Sequence, residues 1–291
     1  MKRFGTVRLA FRVLAPCLLW VFSVAATKSS AIPDYMEHWE FGLDVGNEQR
    51  PLYFLDPILP LYRHPNDERV VFLEPRMRFA NNRWLLNLGG GVRQLVLDRR
   101  WLLGGNTFFD YTSDHQHYRL GLGSEAISSY AELRSNLYLR LSGDRLVEQE
   151  TGSQTYERAL NGFDMEAGMP VPYYSRLKVF GGFNWYAYDN FKNRYGWTIR
   201  TEYKPWPCIV WDLRFTDDTK RNFGWASTVA LRIPLGANAE RPRSLLALDG
   251  QMFPQSDAGT HLFDLVERHH EIVVERRRVT GNMTVQVKRG T

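Results

Sequence analysis

The chain has 291 residues, enough for one or two domains, and is 44% apolar and 14% aromatic. A chain this aromatic can bury enough surface to offset its ordering entropy, which excludes general disorder. The net charge of +5 would suit a nucleic-acid partner, but Lys2, Arg3, Arg8 and Arg12 lie in an acid-free stretch at 1–26, and without them the balance is +1. No nucleic-acid partner is expected. Cys17 falls in that stretch and Cys208 stands alone, so no intrachain disulfide is expected once the stretch is removed.

Residues 1–26 read as a secretory signal peptide. A basic start precedes an apolar run from Val13 to Ala26, interrupted by Pro16 and Ser23. Val24-Ala25-Ala26 offers a cleavage site, with a second candidate after Ala31. The run is shorter than the ~20 residues of a membrane-spanning helix. Beyond it no apolar run approaches that length, which argues against transmembrane helices and leaves a transmembrane barrel open.

From Trp39 to Leu235 the period is two, the mark of strands. Trp39, Phe41, Leu43 and Val45 oppose Glu40, Gly42 and Asp44, and Trp84, Leu86, Leu88 and Val92 oppose Asn87 and Arg93. Leu133, Leu137 and Leu139 oppose Glu132, Arg134, Asn136 and Arg140, and Trp197, Ile199 and Tyr203 oppose Arg200, Glu202 and Lys204. Twelve strands are predicted near 38–46, 51–62, 69–80, 82–95, 99–112, 115–128, 130–142, 160–171, 174–188, 194–206, 208–216 and 222–235. The second is the least regular, because Pro57 and Pro60 interrupt it.

A soluble sandwich alternates in the same way. Strand length favours a membrane barrel, since many strands reach the ~9–11 residues of a tilted crossing. So does the mixing of Arg, Lys, Asp, Glu and Gly on the polar face, and so do aromatics near strand ends, among them Trp39, Tyr130, Tyr173, Tyr174 and Trp206 at one set and Tyr111, Tyr186 and Tyr188 at the other. If the N-terminus stays periplasmic, the even-to-odd connections should be the short ones. Ser128-Ser129, Pro172-Tyr173 and Pro205-Trp206-Pro207 fit, the turn Arg63–Glu68 is longer, and the longest gap, Gly143 to Ala159, falls on the outer side.

After Leu235-Gly236 the pattern changes. Asp257 is placed to cap a short helix at about 258–269, followed by an extended stretch Glu271–Arg278 and one further strand Val279–Lys288. So small a tail cannot form its own core and must lie against or inside the barrel, or remain disordered.

Four blocks resemble the inverse autotransporters, the intimin/invasin group. They are Trp101 to Gln116 (WLLGGNTFFDYTSDHQ), Glu157 to Glu166 (ERALNGFDME), Leu231 to Gly236 (LRIPLG) and Asp264 to Glu275 (DLVERHHEIVVE), in the family's order. The resemblance implies an all-β fold: a twelve-stranded antiparallel transmembrane β-barrel in the outer membrane of a Gram-negative-type bacterium. Its N-terminus would be periplasmic, and a linker with a short helix would thread the lumen to carry a C-terminal passenger to the cell surface. It divides the chain into a short periplasmic N-terminus at 27–38, a barrel at 39–236, a lumenal linker at 237–278 and a surface tail at 279–291. It implies outer-membrane lipid, the barrel-assembly machinery and periplasmic chaperones as partners, with a host or cell-surface receptor if a passenger exists. About a dozen residues separate the leader from Trp39 and about thirteen follow Arg278, so almost no passenger is expected on this chain.

Inward charges of both signs would line the lumen: Arg76, Arg78, Arg93, Arg119, Arg134, Arg140, Arg176 and Arg200 against Asp110, Glu125, Glu132, Asp164, Glu166 and Glu202. The alternating charges of Asp264, Glu267, Arg268 and Glu271 on the linker could satisfy them in turn. A lumen filled this way would hold little water. A small porin or channel is the alternative, and an outer-membrane hydrolase a third.

Residues that could carry chemistry have simpler readings. His115 and His117 have possible metal spacing but read better as a polar surface loop. Asp164 and Glu166 could be paired carboxylates but fit better as lumen acids among arginines. His269-His270 reads as linker polarity, Ser124 is not in a nucleophile elbow, and Gly89-Gly90-Gly91 precedes no helix. No catalytic residue, metal or cofactor is expected.

Overall fold

The computed structural model describes residues 38–47, 51–80, 83–206, 208–233, 247–281 and 283–287. The predicted leader and the stretch just after the last barrel strand lie outside these residues.

The wall strands are β1 (Trp39–Gly46), β2 (Leu52–Pro57), β3 (Leu59–Arg63), β4 (Arg69–Ala80), β5 (Arg83–Val96), β6 (Trp101–Thr112), β7 (His117–Ser128) and β8 (Glu132–Arg140). A hairpin of β9 (Arg145–Glu150) and β10 (Ser153–Ala159) follows. The wall resumes with β11 (Asn161–Val171), β12 (Tyr174–Ala187), β13 (Arg194–Trp206), β14 (Ile209–Asp218) and β15 (Gly224–Ile233). Neighbours in the wall run antiparallel, and β1 pairs with β15 from Trp39↔Ile233 to Gly46↔Ala226, which closes the cylinder. β2 and β3 both pair with β4 and act as one wall strand broken at Ile58, next to Pro57. The barrel therefore has twelve strands, close to the predicted bounds. Closure leaves no wall edge unpaired, as hydrocarbon requires.

The sidedness is inside out relative to a soluble protein. Leu88, Leu133 and Met165 are each more than half exposed on the outer face, while Arg93, Arg119, Asp110 and Arg200 are at most 1% exposed on the inner one. This inversion selects a lipid-embedded barrel over a sandwich, whose apolar face would be covered. Aromatics pair near both rims. Trp101 meets Tyr130 edge-on at 5.7 Å at one end, and Phe79 packs on Trp84 at 4.8 Å at the other.

Inner-face glycines make room for large lumenal rings. Gly89 stands opposite Phe108, and a Cβ there would lie 2.1 Å from that ring. Gly168 stands opposite Phe180 in the same way, at 2.0 Å.

The two ends of the barrel differ. At one end the connections are short, such as 129–131 and Pro172-Tyr173. At the other stands a second sheet of four strands, in the order β17-β16-β10-β9, with β16 (Val274–Thr280) and β17 (Met283–Gln286). The gap 143–159, expected to be a surface loop, is mostly this hairpin of β9 and β10. The single strand expected over Val279–Lys288 is instead divided by a turn at Gly281, whose φ is +53°.

The helix expected at about 258–269 is not formed. Asp257 does cap, accepting from the Gly259 N–H at 2.7 Å, but the result is one 3-10 turn, Ala258–His261. Beyond it the chain runs irregular and extended, because its backbone groups bond to the barrel wall rather than to each other.

The outer face makes a direct prediction. Leu122 sits mid-strand on β7, paired with Thr107 and Leu137. Leu122→Arg should destabilise the barrel by about 2–4 kcal/mol. Urea unfolding in lipid vesicles, followed by tryptophan fluorescence, should show an earlier midpoint; an unchanged midpoint would count against a lipid-facing Leu122.

Candidate functional site: the occupied lumen

The chain approaches the lumen at the short-turn end. Tyr173, in a two-residue turn with φ +62°, donates its N–H to the Met252 carbonyl at 2.9 Å and accepts from the Asp249 N–H at 2.8 Å. Arg99 pairs with Asp257 at 2.8 Å. Ala258, Leu262 and Val266 then pack into an apolar cluster with Ile58, Val70, Phe72, Leu102, Phe108 and Ile127. This cluster holds the start of the segment 262–273 against the inner wall of the barrel.

In that segment the wall captures the backbone. Arg93 donates to the carbonyls of Leu262 at 2.9 Å and Asp264 at 2.5 Å, and Arg119 to those of Glu271 at 2.9 Å and His269 at 2.6 Å. The amides of Asn87 and Asn136 donate to the His270 and Glu267 carbonyls, both at 3.2 Å. Glu74 accepts from the Val266 N–H at 3.2 Å, and the Tyr138 hydroxyl accepts from the His269 N–H at 2.7 Å. Six strap carbonyls are thus taken by side chains, two of them, those of Leu262 and Asp264, ones that the predicted helix would pair internally, and the segment runs as a strap instead of a helix.

Asp110 is the hub of the charge network. Arg268 of the strap grips it with both guanidinium nitrogens at 2.7 Å, Arg119 reaches it at 2.7 Å and Asn87 at 2.7 Å, all buried. The Arg268 guanidinium lies 4.4 Å from the Phe108 ring centre, and Arg119 lies 4.1 Å from that of Tyr138. Gly121 admits Arg268, since a Cβ there would stand 2.5 Å from its guanidinium. Further along the strap, Glu267 faces Arg200 at 3.8 Å and Arg214 at 3.9 Å, and Arg200 also holds Glu166 and Asp212. Near the short turns, Arg232 joins Asp264 at 2.8 Å and Glu40 at 3.2 Å, and Lys178 bridges Glu132 and Glu202. Arg76 binds both Asp56 and His270. A cavity of about 750 Å³ remains beside the strap, reaching from Arg134 and Glu166 to Lys220 and Gln286 at the far end.

Most of the predicted lumen residues meet inside. Arg76, Arg78, Arg93, Asp110, Arg119, Glu125, Glu132, Arg134, Asp164, Glu166, Arg200 and Glu202 all take part in the lumenal ion pairs or hydrogen bonds. Arg140 instead sits at the rim, paired with Asp189, and Arg176 lies half-buried at the short-turn end of β12. Strap residues Asp264, Glu267 and Arg268 are all engaged, and Glu271 reaches Arg83 at 3.9 Å near the far rim. Sequence reasoning did not select Glu74, Asn87, Asn136 or Tyr138 as lumen contacts. All four fall on the inward phase of their strands, but a search for charge pairs passes over groups that bind backbone.

The chemistry candidates have structural partners. His115 and His117 both face the buried Glu157 of β10, at 3.1 and 3.6 Å, and Arg276 of β16 shares it at 3.4 Å. Asp164 accepts from Asn136 and Tyr138, and Glu166 is gripped by Arg200. Among the described residues, no group of three or more His, Cys, Asp or Glu is arranged to hold a metal.

Where the strap leaves the lumen, it becomes β16 and pairs with β10 from Val274↔Ala159 to Thr280↔Ser153. Arg277 binds Asp144 at 2.9 Å, Arg158 binds both Asp144 and Asp189, and Glu275 accepts from the amides of Asp189 and Asn190 at 3.1 and 3.0 Å.

With this geometry the comparisons agree. Residues 24–270 match the inverse autotransporter β-domain. The chain belongs to the inverse autotransporter family. It is 29% identical over 243 residues to invasin of Yersinia enterocolitica, covering 77% of this chain and 27% of that protein. It is 28% identical over 247 residues to the inverse autotransporter adhesin YeeJ of Escherichia coli K12, covering 77% of this chain and 10% of that protein. The chain thus spans about a quarter of the first relative and a tenth of the second. Among solved structures, a chain from work on in-meso crystallization of membrane proteins superposes with a TM-score of 0.66 at 22% identity, covering 82% of this chain and 99% of its own length. An outer-membrane channel from Pseudomonas putida F1 superposes at 0.50 with 9% identity, covering 70% of this chain and 100% of its own. These likenesses place this inverse autotransporter domain among outer-membrane β-barrels.

Two predictions follow from the network. Asp110→Ala leaves Arg119 and Arg268 buried without their shared anion, at a cost of about 3–5 kcal/mol. Trypsin should then cut the strap at Arg268 while the barrel stays folded; a strap as resistant as in the parent would show that Asp110 does not hold it. The second concerns the exit sheet. Arg140 and Arg158 hold the Asp189 carboxyl below its ordinary range. At Asp144, partial burial pushes upward but Arg158 and Arg277 outweigh it, so it too is lowered. A depressed carboxylate adds stability that is complete above its unfolded value, near 3.9, and fades as pH falls towards the folded one. The protection of the β16 amides, measured relative to their intrinsic exchange rates, should therefore be unchanged down to about pH 5 and fall only below about pH 4. A loss of protection between about pH 6 and 5 would contradict the assignment.

Proposed function

We propose that this domain is a translocator and anchor that leads a C-terminal segment through its own barrel to the cell surface. The carrying observation is the path of the strap. It packs against the wall at the short-turn end, runs through the lumen in extended form, and emerges at the other end paired to β10. An extended chain is what a passing polypeptide leaves behind if export stops with its last segment in the pore. The short-turn end would face the periplasm and the four-stranded sheet the exterior, as in outer-membrane barrels generally. The adhesin character of the named relatives supports a displayed segment that contacts a host or cell-surface receptor. Insertion would call on the barrel-assembly machinery and periplasmic chaperones.

A channel reading competes for one reason, the cavity of about 750 Å³ beside the strap. In the proposed reading the ion pairs of Lys178, Glu132, Glu202 and Arg232 close the lumen below it.

Two measurements test the proposal together. An epitope placed after Val287 should be stained by antibody on intact cells, and the full chain in planar bilayers should show little steady conductance until residues 258–291 are deleted. An epitope reached only after the outer membrane is permeabilised, or large steady currents from the full chain, would refute it.

A further inference from the structure

The outer wall carries a groove that the lumen does not explain. Tyr174 and Leu177 of β12, Thr201 and Tyr203 of β13, and Trp211 and Leu213 of β14 line a cavity of about 230 Å³ in the short-turn half of the barrel. The registers show how it forms. Leu177, Tyr203 and Trp211 make one row across three strands, and Val179, Thr201 and Leu213 make the next. Thr201 is the short side chain at the centre of the second row. In the first row the two large rings are drawn apart. Tyr203 accepts from the Tyr174 hydroxyl at 3.1 Å on the β12 side, while the Trp211 indole donates to the Ser227 hydroxyl at 2.9 Å on the β15 side. The space between them is floored by Thr201 and Leu213.

This groove lies in the surface the barrel presents to hydrocarbon, continuous with exposed Val179, Ile199 and Val229. Its occupant must be apolar along its length and enter from the rim, where the tyrosine hydroxyls stand. Having accepted from Tyr174, the Tyr203 hydroxyl keeps its own proton for an acceptor at that level. Amphipathic rings with one polar tip occupy such interfaces in barrels.

We propose that the groove seats one acyl chain of a glycerophospholipid, with an ester carbonyl accepting from the Tyr203 hydroxyl. The assignment to a phospholipid rests on the orientation proposed above, in which the short-turn half lies in the inner leaflet. A chain lying there would cover the short Thr201 side chain and fill the notch it leaves among its larger neighbours.

Thr201→Trp fills the notch with a residue that membrane interfaces tolerate. The parent, Thr201→Trp and a control, Leu122→Trp four strands away on the outer wall, are each reconstituted in vesicles of palmitoyl-oleoyl phosphatidylethanolamine. They are then extracted into mild detergent and weighed intact by native mass spectrometry. The parent and control should retain one phosphatidylethanolamine, and Thr201→Trp should lose it while remaining a heat-modifiable folded barrel. Equal retention by Thr201→Trp, no retention by the parent, or a dimer mass in place of the lipid adduct would overturn the proposal. If Thr201→Trp does not fold, Tyr203→Phe serves instead, with retention expected to fall at least several-fold. The lipid supplied is the same in both leaflets, so a failure here is distinct from a failure of the orientation, which the surface epitope reads.

Discussion

Hydrocarbon offers no hydrogen bonds, and most of this molecule follows from that one constraint. Every wall strand must pair on both sides, so the sheet closes β15 onto β1. Each strand then has one face in lipid, which must be apolar, and the charges of an ordinary sequence collect on the other face. Twelve strands enclose a lumen crowded with arginines and carboxylates, and each buried charge needs a partner. Wall pairs supply part of the answer, as with Arg200 and Glu166. The strap supplies the rest.

A helix in the lumen would keep its carbonyls to itself and leave Arg93, Arg119 and the two asparagines without those acceptors. An extended strap offers them carbonyl after carbonyl. The same feature makes the contact tolerant of sequence, because main-chain carbonyls are present in any polypeptide. Side chains fix the register: Arg268 is gripped by Asp110 and fitted against Gly121, Asp264 is joined to Arg232, and Glu267 faces Arg200. A lumen that combines general backbone contacts with a few specific side-chain contacts suits the conduit proposed above.

The period-two pattern made the barrel legible, because lipid outside and charge inside sharpen the alternation. Strand count and most bounds were readable, and the break at Pro57 was visible as irregularity. The lumen acids and bases were readable for the same reason. Three features were not. The predicted helix at 258–269 failed because Leu262, Val266 and their neighbours have helical spacing, but the wall competes for the backbone, and that competition leaves no trace in the segment itself. The β9–β10 hairpin was hidden because β9 is short and mostly exposed, with charge on much of its length. Arg140 was placed in the lumen by its phase, but it lies near the rim, where Asp189 draws it aside.

The central claim is that the folded barrel holds the strap by its backbone. Amide hydrogen exchange of residues 262–273 tests it most directly, with the domain folded in a bilayer mimic. The account predicts that the Val266 and His269 amides, bonded to Glu74 and Tyr138, exchange slowly, at rates set by opening of the lumen. Exchange of both at the rate of an unstructured chain, while the wall strands remain protected, would contradict it.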